Sequence, residues 1–240
     1  MTADAAPRRL CVALDVPDLD RVRDLARTLG GRAGTFKVGL EAFVAHGAAA
    51  LEAARAGGAG IFLDLKLHDI PRTVGAAVRS AGGLGAELLT IHALGGPAMI
   101  SAAREAAEAM GPARPRLLAV TVLTSHGPDE LEALGLAGPP AEAVLRLARL
   151  AIRAGADGLV ASAREAPALR AALGPEVLLV TPGIRPAGAA RGDQVRVTTP
   201  ADAIRAGSDL LVVGRPIVAA EDPAAAADAI LAEIRAALAR

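Results

Sequence analysis

Short runs of apolar, β-branched residues alternate along the chain with longer Ala-, Leu- and Arg-rich stretches whose apolar positions recur every three to four residues. The short runs predict strands over 10–15, 35–39, 60–67, 87–93, 116–124, 158–163, 177–182 and 210–213. The longer stretches predict helices over 20–29, 41–56, 73–81, 97–110, 141–154, 164–173, 200–206 and 223–238. Pro and Gly punctuate the joints, as at Gly111-Pro112, Gly138-Pro139 and Gly174-Pro175. Strands each followed by a helix, eight times over, predict a single-domain (β/α)8 TIM barrel spanning residues 1–240 rather than an open sheet. No Gly-x-Gly-x-x-Gly follows the first strand, which speaks against a dinucleotide fold. The amphipathic segment 141–154 has the pattern of a membrane-surface helix, but the outer helices of a barrel need the same apolar stripe.

Composition narrows the function. At 52% hydrophobic residues the chain has a sizeable core to bury, built from Ala, Leu and Val because Trp and Tyr are absent and only three Phe occur. The formal net charge is zero, so nothing points to a nucleic-acid partner. Cys11 stands alone, which excludes an intrachain disulfide and fits a reducing compartment. The opening MTADAAPRRL lacks the apolar run of a signal peptide, and no stretch approaches a membrane span; the chain is therefore expected to be soluble and cytoplasmic.

The charge inventory contains one anomaly. Of 26 basic residues only Lys37 and Lys66 are lysine. Arginine does not give up its proton near neutral pH, whereas an ammonium is tunable by its surroundings. Lysine retained at two positions against so uniform a bias points to proton chemistry. Lys66 lies in Asp64-Leu65-Lys66-Leu67-His68-Asp69, among carboxylates.

In a barrel the active site gathers at the C-terminal ends of the strands. Those ends carry Asp15, Lys37, Asp64 with Lys66, His92, Thr124, Arg185 and Arg215. Strand alternation sharpens the picture. Leu63, Leu65 and Leu67 share one face, toward the helices, so Asp64 and Lys66 share the other, toward the barrel mouth. Asp69 has the opposite parity and lies past the strand, so it either folds back or points outward to serve a neighbouring subunit. The alternation Asp15, Lys37, Asp64, Lys66, Asp69 is compatible with a structural ion cluster plugging the barrel. Its position at the catalytic face, where stability alone does not call for charge, favours chemistry.

The last two strand ends read as an anion site. Pro182-Gly183-Ile184-Arg185 and Gly214-Arg215-Pro216 supply glycines for close backbone approach and guanidiniums for phosphate, on the loops where barrels often bind it. Residues 186–194, with Gly188 and Gly192, read as a mobile lid. Of four histidines, His92 ends the fourth strand on the inward side. With Asp64 or Asp15 it has metal-ligand chemistry, but two lysines make a metal electrostatically awkward there, and a hydrogen-bonded pocket wall is the better reading. His46 and His126 read as helix or loop residues.

These motifs resemble those of the orotidine 5′-phosphate decarboxylases. The core is Asp64-Leu65-Lys66-Leu67-His68-Asp69-Ile70-Pro71-Arg72-Thr73, supported by Ala13-Leu14-Asp15, Phe36-Lys37-Val38-Gly39 and Thr121-Val122-Leu123-Thr124-Ser125. Thr181-Pro182-Gly183-Ile184-Arg185-Pro186, Gly192-Asp193-Gln194 and Val213-Gly214-Arg215-Pro216-Ile217 extend it nearly end to end, in the manner of the shorter bacterial branch. The Asp-x-Lys-x-x-Asp core is shared with other phosphosugar enzymes; Lys37 and the two arginine loops make it specific.

The resemblance implies decarboxylation of orotidine monophosphate (OMP) to UMP in pyrimidine synthesis, with no cofactor and no metal. It implies Lys66 as proton donor, Asp64 beside the departing carboxylate, and Lys37 and Asp15 on the ribose hydroxyls. Thr124 is expected at the pyrimidine, Gln194 between base and phosphate, and Gly214, Arg215 and Arg185 at the phosphate. Asp69, with Ile70 and Thr73 among the substrate-binding residues, is expected to act in a homodimer, Asp69 and Thr73 reaching into the partner's site. Three rivals are a Mg2+-assisted keto-gulonate-phosphate decarboxylase, a metal-dependent pentose-phosphate epimerase and a non-catalytic nucleotide-binding barrel. The first carries an acidic residue in place of Lys37, and the second needs inward histidines that the sequence lacks. The intact Asp/Lys array speaks against the third.

Overall fold

The computed structural model describes residues 4–136, 138–186 and 198–239. Eight parallel strands close into a barrel in sequence order, β1 (Leu10–Ala13), β2 (Thr35–Gly39), β3 (Gly60–Leu67), β4 (Leu88–His92), β5 (Arg116–Val120), β6 (Gly158–Val160), β7 (Leu178–Thr181) and β8 (Leu210–Val213), with β8 pairing back to β1. Among the described residues eleven α-helices wrap it. They are α1 (Leu19–Thr28), α2 (Leu40–His46), α3 (Ala48–Arg55), α4 (Pro71–Gly83), α5 (Gly96–Glu108) and α6 (Pro128–Ala133), then α7 (Pro140–Arg153), α8 (Ala166–Leu173), α9 (Pro200–Arg205), α10 (Arg215–Val218) and α11 (Pro223–Leu238).

Strand alternation divides the core in two. Residues such as Val12, Phe36, Leu63, Leu89 and Ile91 face the helices and join the large outer core. Their neighbours Cys11, Ala13, Phe62, Leu88, Leu118, Val180, Leu210 and Val212 fill the barrel interior. Phe62 shares this cluster with the small Cys11 and Ala13 of β1, and the interior is packed rather than hollow. The outward placement of Leu63 and the inward placement of Phe62 and Asp64 follow the parity read from sequence.

β2, β3 and β8 match the predicted strands, whereas β1, β4, β5, β6 and β7 pair over fewer residues. Beyond the paired residues Leu14, Thr121 and Ala161 each still donate one backbone hydrogen bond to a neighbouring strand at the mouth. The single helix expected over 41–56 is two, because Gly47 adopts φ +55° and ψ −133° and breaks the α2 hydrogen-bond run before α3 begins. The short helices α6 and α10 were not foreseen; each has proline in its first turn, where the missing N–H costs nothing. No helix among the described residues is long and apolar enough to cross a membrane.

The end of the barrel opposite the mouth is held by two aspartates, each immediately before an even-numbered strand. Asp157 accepts the Leu117 N–H at 2.8 Å, linking β6 to β5, and is gripped by Arg114 at 2.7 and 2.8 Å and by Arg104 at 2.8 Å. Asp209 repeats the pattern, accepting the Leu179 N–H at 2.9 Å and pairing with Arg9 and Arg170. Burial pushes the Asp157 carboxyl up, but the Arg114 hydrogen bonds, the Leu117 N–H and the charges of Arg114 and Arg104 outweigh it and hold the pKa below its ordinary 3.8.

Because the folded-state value is depressed, the contribution to stability is full above the unfolded carboxyl value and is lost as pH falls through the folded one. Asp157→Ala should cost roughly 2–3 kcal/mol at neutral pH. In denaturant melts, the gap to wild type is expected to close as pH is lowered below about 4. A gap independent of pH would assign the loss to packing.

Candidate active site

The ends of β2 and β3, with the residues that follow β1, bring Asp15, Lys37, Asp64 and Lys66 into one run of alternating charge. Lys37 Nζ donates to both Asp15 oxygens, at 2.9 and 3.1 Å, and lies 3.4 Å from Asp64 Oδ2. The same Oδ2 accepts from Lys66 Nζ at 2.9 Å. Lys37 and Asp64 are 7% and 8% exposed, so each charge is sustained by its partners rather than by water. Asp15 sits at the solvent edge of the run.

Burial lowers the Lys37 pKa, but the Asp64 and Asp15 carboxylates outweigh it and hold the ammonium above its ordinary value. For Asp64 burial works upward and is outweighed by Lys37 and Lys66, with hydrogen bonds from Lys66 and Thr90 assisting, so the carboxyl stays below the usual range. Both groups are therefore ionised at neutral pH.

Lys66 reaches this run through a departure from regular strand geometry. β3 pairs with β4 at Leu63↔Leu89 and next at Leu67↔Ile91, which leaves Asp64, Leu65 and Lys66 opposite Thr90 alone. Lys66 has φ +51° and is the one non-glycine residue in the left-handed region among those described. That conformation costs about 1–2 kcal/mol in an L-residue and persists only where its surroundings enforce it. The Lys66 N–H donates to Thr90 Oγ1 at 2.8 Å, and Thr90 Oγ1 donates to Asp64 Oδ1 at 2.9 Å.

Two cavities meet at the charged run and share Lys37, Asp64, Lys66, Pro182 and Val212. The smaller, about 150 Å3, is walled mostly by apolar groups, among them Phe62, Val122, Leu123, Val160 and Val180, with Thr124 on its lining. The larger, about 450 Å3, is polar and contains Asp15, Glu41, Arg185, Gly214 and Arg215. Arg185 is 9% exposed and donates to the Ile184 carbonyl at 2.9 Å. Burial, and then the charge of Arg215, lowers the Arg185 pKa, the signature of two guanidiniums converging on one space that suits an anion. A wider groove of about 840 Å3 runs beside α5 and α7, but it lacks the carboxylate–ammonium run.

Asp69, Ile70 and Thr73 do not join the array. All three are exposed, Ile70 at 65%, and the Asp69 carboxylate accepts the Ile70 N–H at 2.6 Å. Gln194 and most of the segment 186–194 lie outside the described residues. His92 is stacked on His68 with centroids 5.4 Å apart. Burial, with the charges of His68, Lys66 and His126, lowers the His92 pKa to about 4, so the ring is neutral near pH 7. Among the described residues no group of three or more His, Cys, Asp or Glu is arranged to hold a metal.

A family model described as Orotidine 5′-phosphate decarboxylase / HUMPS family matches residues 8–230. A protein of Anaeromyxobacter sp. (strain K) named orotidine 5′-phosphate decarboxylase is 58% identical over 224 residues, 93% of this chain and 97% of that one. One of the same name from Trichlorobacter lovleyi is 50% identical over 98% of both chains. Among solved structures, orotidine 5′-phosphate decarboxylase from Lactobacillus acidophilus superposes with a TM-score of 0.82 at 40% identity, covering 95% of this chain and 99% of that one. An uncharacterized conserved protein from Geobacillus kaustophilus gives a TM-score of 0.81 at 36% identity, covering 94% and 99%.

The sequence reading passed over three residues of this site: Glu41 on the cavity wall, Thr90 beneath Asp64 and Gly39. Gly39 lay inside the Phe36-Lys37-Val38-Gly39 motif, and Thr90 shares the inward parity of His92, but neither type announces chemistry. A Cβ on Gly39 would lie 2.5 Å from Asp15 Oδ1 and 2.8 Å from Lys37 Nζ. Hydrogen is the one side chain that leaves this ion pair its room. Gly39→Ala is therefore expected to part the pair, with a crystal structure showing Lys37 Nζ and Asp15 beyond about 3.5 Å of each other. An unshifted pair would mean that the backbone yields instead.

Proposed function

This chain belongs to the orotidine 5′-phosphate decarboxylase family, and from that premise we propose how it converts OMP to UMP and CO2 in pyrimidine biosynthesis: Lys66 protonates the pyrimidine carbon that loses the carboxylate. The observation that carries the reading is the junction of an apolar cavity and an arginine-lined cavity at the Asp15–Lys37–Asp64–Lys66 run. A flat base suits the first and a phosphate the second, which leaves the reacting carbon and the ribose at the charges between them.

The chemical difficulty is a carbanion with no conjugated sink, a problem that asks for a barrier reduction of about 20 kcal/mol. The bond from carbon to carboxylate breaks, CO2 departs and the electron pair stays on carbon. The Lys66 ammonium stabilises that growing charge and then delivers its proton, becoming a neutral amine that solvent reprotonates. Asp64, ionised and hydrogen-bonded to Lys66, lies where the substrate carboxylate would be repelled, a ground-state contribution that adds to the ammonium's effect. Lys37 and Asp15 take the ribose hydroxyls and keep Asp64 paired. Thr124 meets the pyrimidine. Arg215, Arg185 and the Gly214 backbone take the phosphate, each charged hydrogen bond adding roughly 1.5–3 kcal/mol of binding. Gln194 is assigned between base and phosphate by the family resemblance, and residues 186–194 are assigned as the closing lid.

The exposed Asp69–Ile70–Thr73 edge supports assembly as a homodimer in which Asp69 and Thr73 complete the partner's site. The Asp69 carboxylate lies outside the array of its own mouth and beside the 65%-exposed Ile70, a placement such an interface requires. The unpaired, buried Cys11 is compatible with work in the cytoplasm.

Lys66→Ala is expected to abolish OMP decarboxylation, by about 10³-fold or more, while UMP still binds measurably; turnover near that of wild type would remove Lys66 from the mechanism. For the dimer, mixing inactive Asp69→Ala and Lys66→Ala proteins should restore part of the activity, because a hybrid contains one site with both native residues. If subunit exchange is demonstrated by mass spectrometry and no activity returns, Asp69 does not act across the interface.

A further inference from the structure

We propose that Thr90 is a positioning residue for this reaction, its single hydroxyl fixing Asp64 and Lys66 together. The inference rests on the reading of Lys66 as proton donor and deepens it.

Between the Leu63↔Leu89 and Leu67↔Ile91 pairs, β4 offers one residue to three on β3, and that residue is Thr90. A regular ladder would pair the Lys66 N–H with a backbone carbonyl. The Thr90 hydroxyl accepts it instead, at 2.8 Å, and so holds Lys66 in its left-handed conformation at φ +51°. The same oxygen spends its proton on Asp64 Oδ1, at 2.9 Å. With Oδ1 taken, Oδ2 is the atom turned to both ammoniums, 2.9 Å from Lys66 and 3.4 Å from Lys37. A hydroxyl has one proton to give and lone pairs to accept with, and Thr90 uses both on the residues assigned to the chemistry.

Packing alone does not call for this choice. Thr90 is fully buried in the wall between the two core clusters, where valine has the same shape and no polar atom to satisfy. The hydroxyl matters because losing it takes from the Lys66 N–H and from one oxygen of the buried Asp64 the partner each has there. Asp64 then becomes free to turn, and the left-handed Lys66 loses its tether. The reacting ammonium would sit in a broader range of positions, which affects the chemical step more than the binding of base or phosphate.

Two substitutions separate the hydroxyl from the volume. Thr90→Val keeps the shape and deletes the hydroxyl; Thr90→Ser keeps the hydroxyl and deletes a methyl. With OMP as substrate, Thr90→Val is expected to lower kcat by about 10-fold or more while KM and UMP affinity change by less than about 3-fold. Thr90→Ser should stay within about 3-fold of wild type in kcat. The acid limb of the kcat–pH profile should move upward in Thr90→Val, since a hydrogen bond that favours the ionised Asp64 is gone.

Wild-type kcat in Thr90→Val overturns the proposal. So does a Thr90→Ser enzyme as impaired as Thr90→Val, or a loss confined to KM, because either marks Thr90 as packing. Should circular dichroism show Thr90→Val unfolded, Thr90→Ala read against Thr90→Ser carries the same comparison. An active Lys66→Ala enzyme would remove the underlying reading, whereas a fully active Thr90→Val beside an inactive Lys66→Ala removes only the role of Thr90.

Discussion

A carboxylate with almost no water around it has to be paired, and the mouth of this barrel is arranged around that requirement at Asp64. One of its oxygens accepts from Thr90, the other from Lys66, with Lys37 at 3.4 Å. Lys37 is nearly as buried and leans in turn on Asp15, which reaches solvent. The run thus leads charge from the interior to the surface without leaving any member uncompensated. Two carboxylates and two ammoniums balance, so the run itself holds a dense field at no net charge. In the proposed mechanism a substrate carboxylate meets a negative group, and a carbanion meets a positive one, within the same few ångströms.

The two ends of the barrel use charge in different ways. At the closed end Asp157 and Asp209 bind arginines and the N–H groups of the second residues of neighbouring strands, which ties β5 to β6 and β7 to β8. Every oxygen there is spent on protein partners, and the arrangement is an adhesive. At the mouth the lysine and carboxylate side chains project into cavities, and part of their hydrogen-bonding capacity is directed at space a ligand can fill. Arginine serves the adhesive because it is always charged and forks onto a carboxylate. In the proposed mechanism lysine serves the mouth because the Lys66 ammonium parts with a proton.

The alternation of strand and helix patterns was enough to read the barrel, and β2, β3 and β8 agree with the predicted ranges residue for residue. Lysine scarcity and strand parity together located Lys37, Asp64 and Lys66 in one mouth, since both signals are local. What stayed hidden depends on three-dimensional closeness. Gly39 is required by the ion pair between its near neighbour Lys37 and Asp15, and the arrival of Asp15 from another strand end is not written in the sequence around Gly39. Parity put Lys66 on the correct face but implied a regular strand; the bulge opposite Thr90 and the positive φ are consequences of register with β4, which a single strand's pattern does not contain. The break at Gly47 was passed over for a different reason, because glycine inside an Ala-rich helical pattern costs only about 1 kcal/mol and is often tolerated.

The strained backbone at Lys66 connects these observations to catalysis. A left-handed lysine in a flexible loop would relax at the first opportunity. Here the flanking residues Leu63 and Leu67 are locked to β4, so relaxation of Lys66 would have to pull against the barrel wall. The wall therefore maintains the ammonium's position, and substrate binding does not have to create it. In the proposed mechanism phosphate contacts at the Arg185–Arg215 end act at a distance from the reacting carbon, and their binding energy assists the chemical step only if the intervening structure does not give. A charged run whose Lys37, Asp64 and Lys66 sit in hydrogen-bonded strands meets that condition. A run carried on loops would absorb the same energy as motion, so the rigidity of β2, β3 and β4 is as much a part of the proposed mechanism as the proton on Lys66.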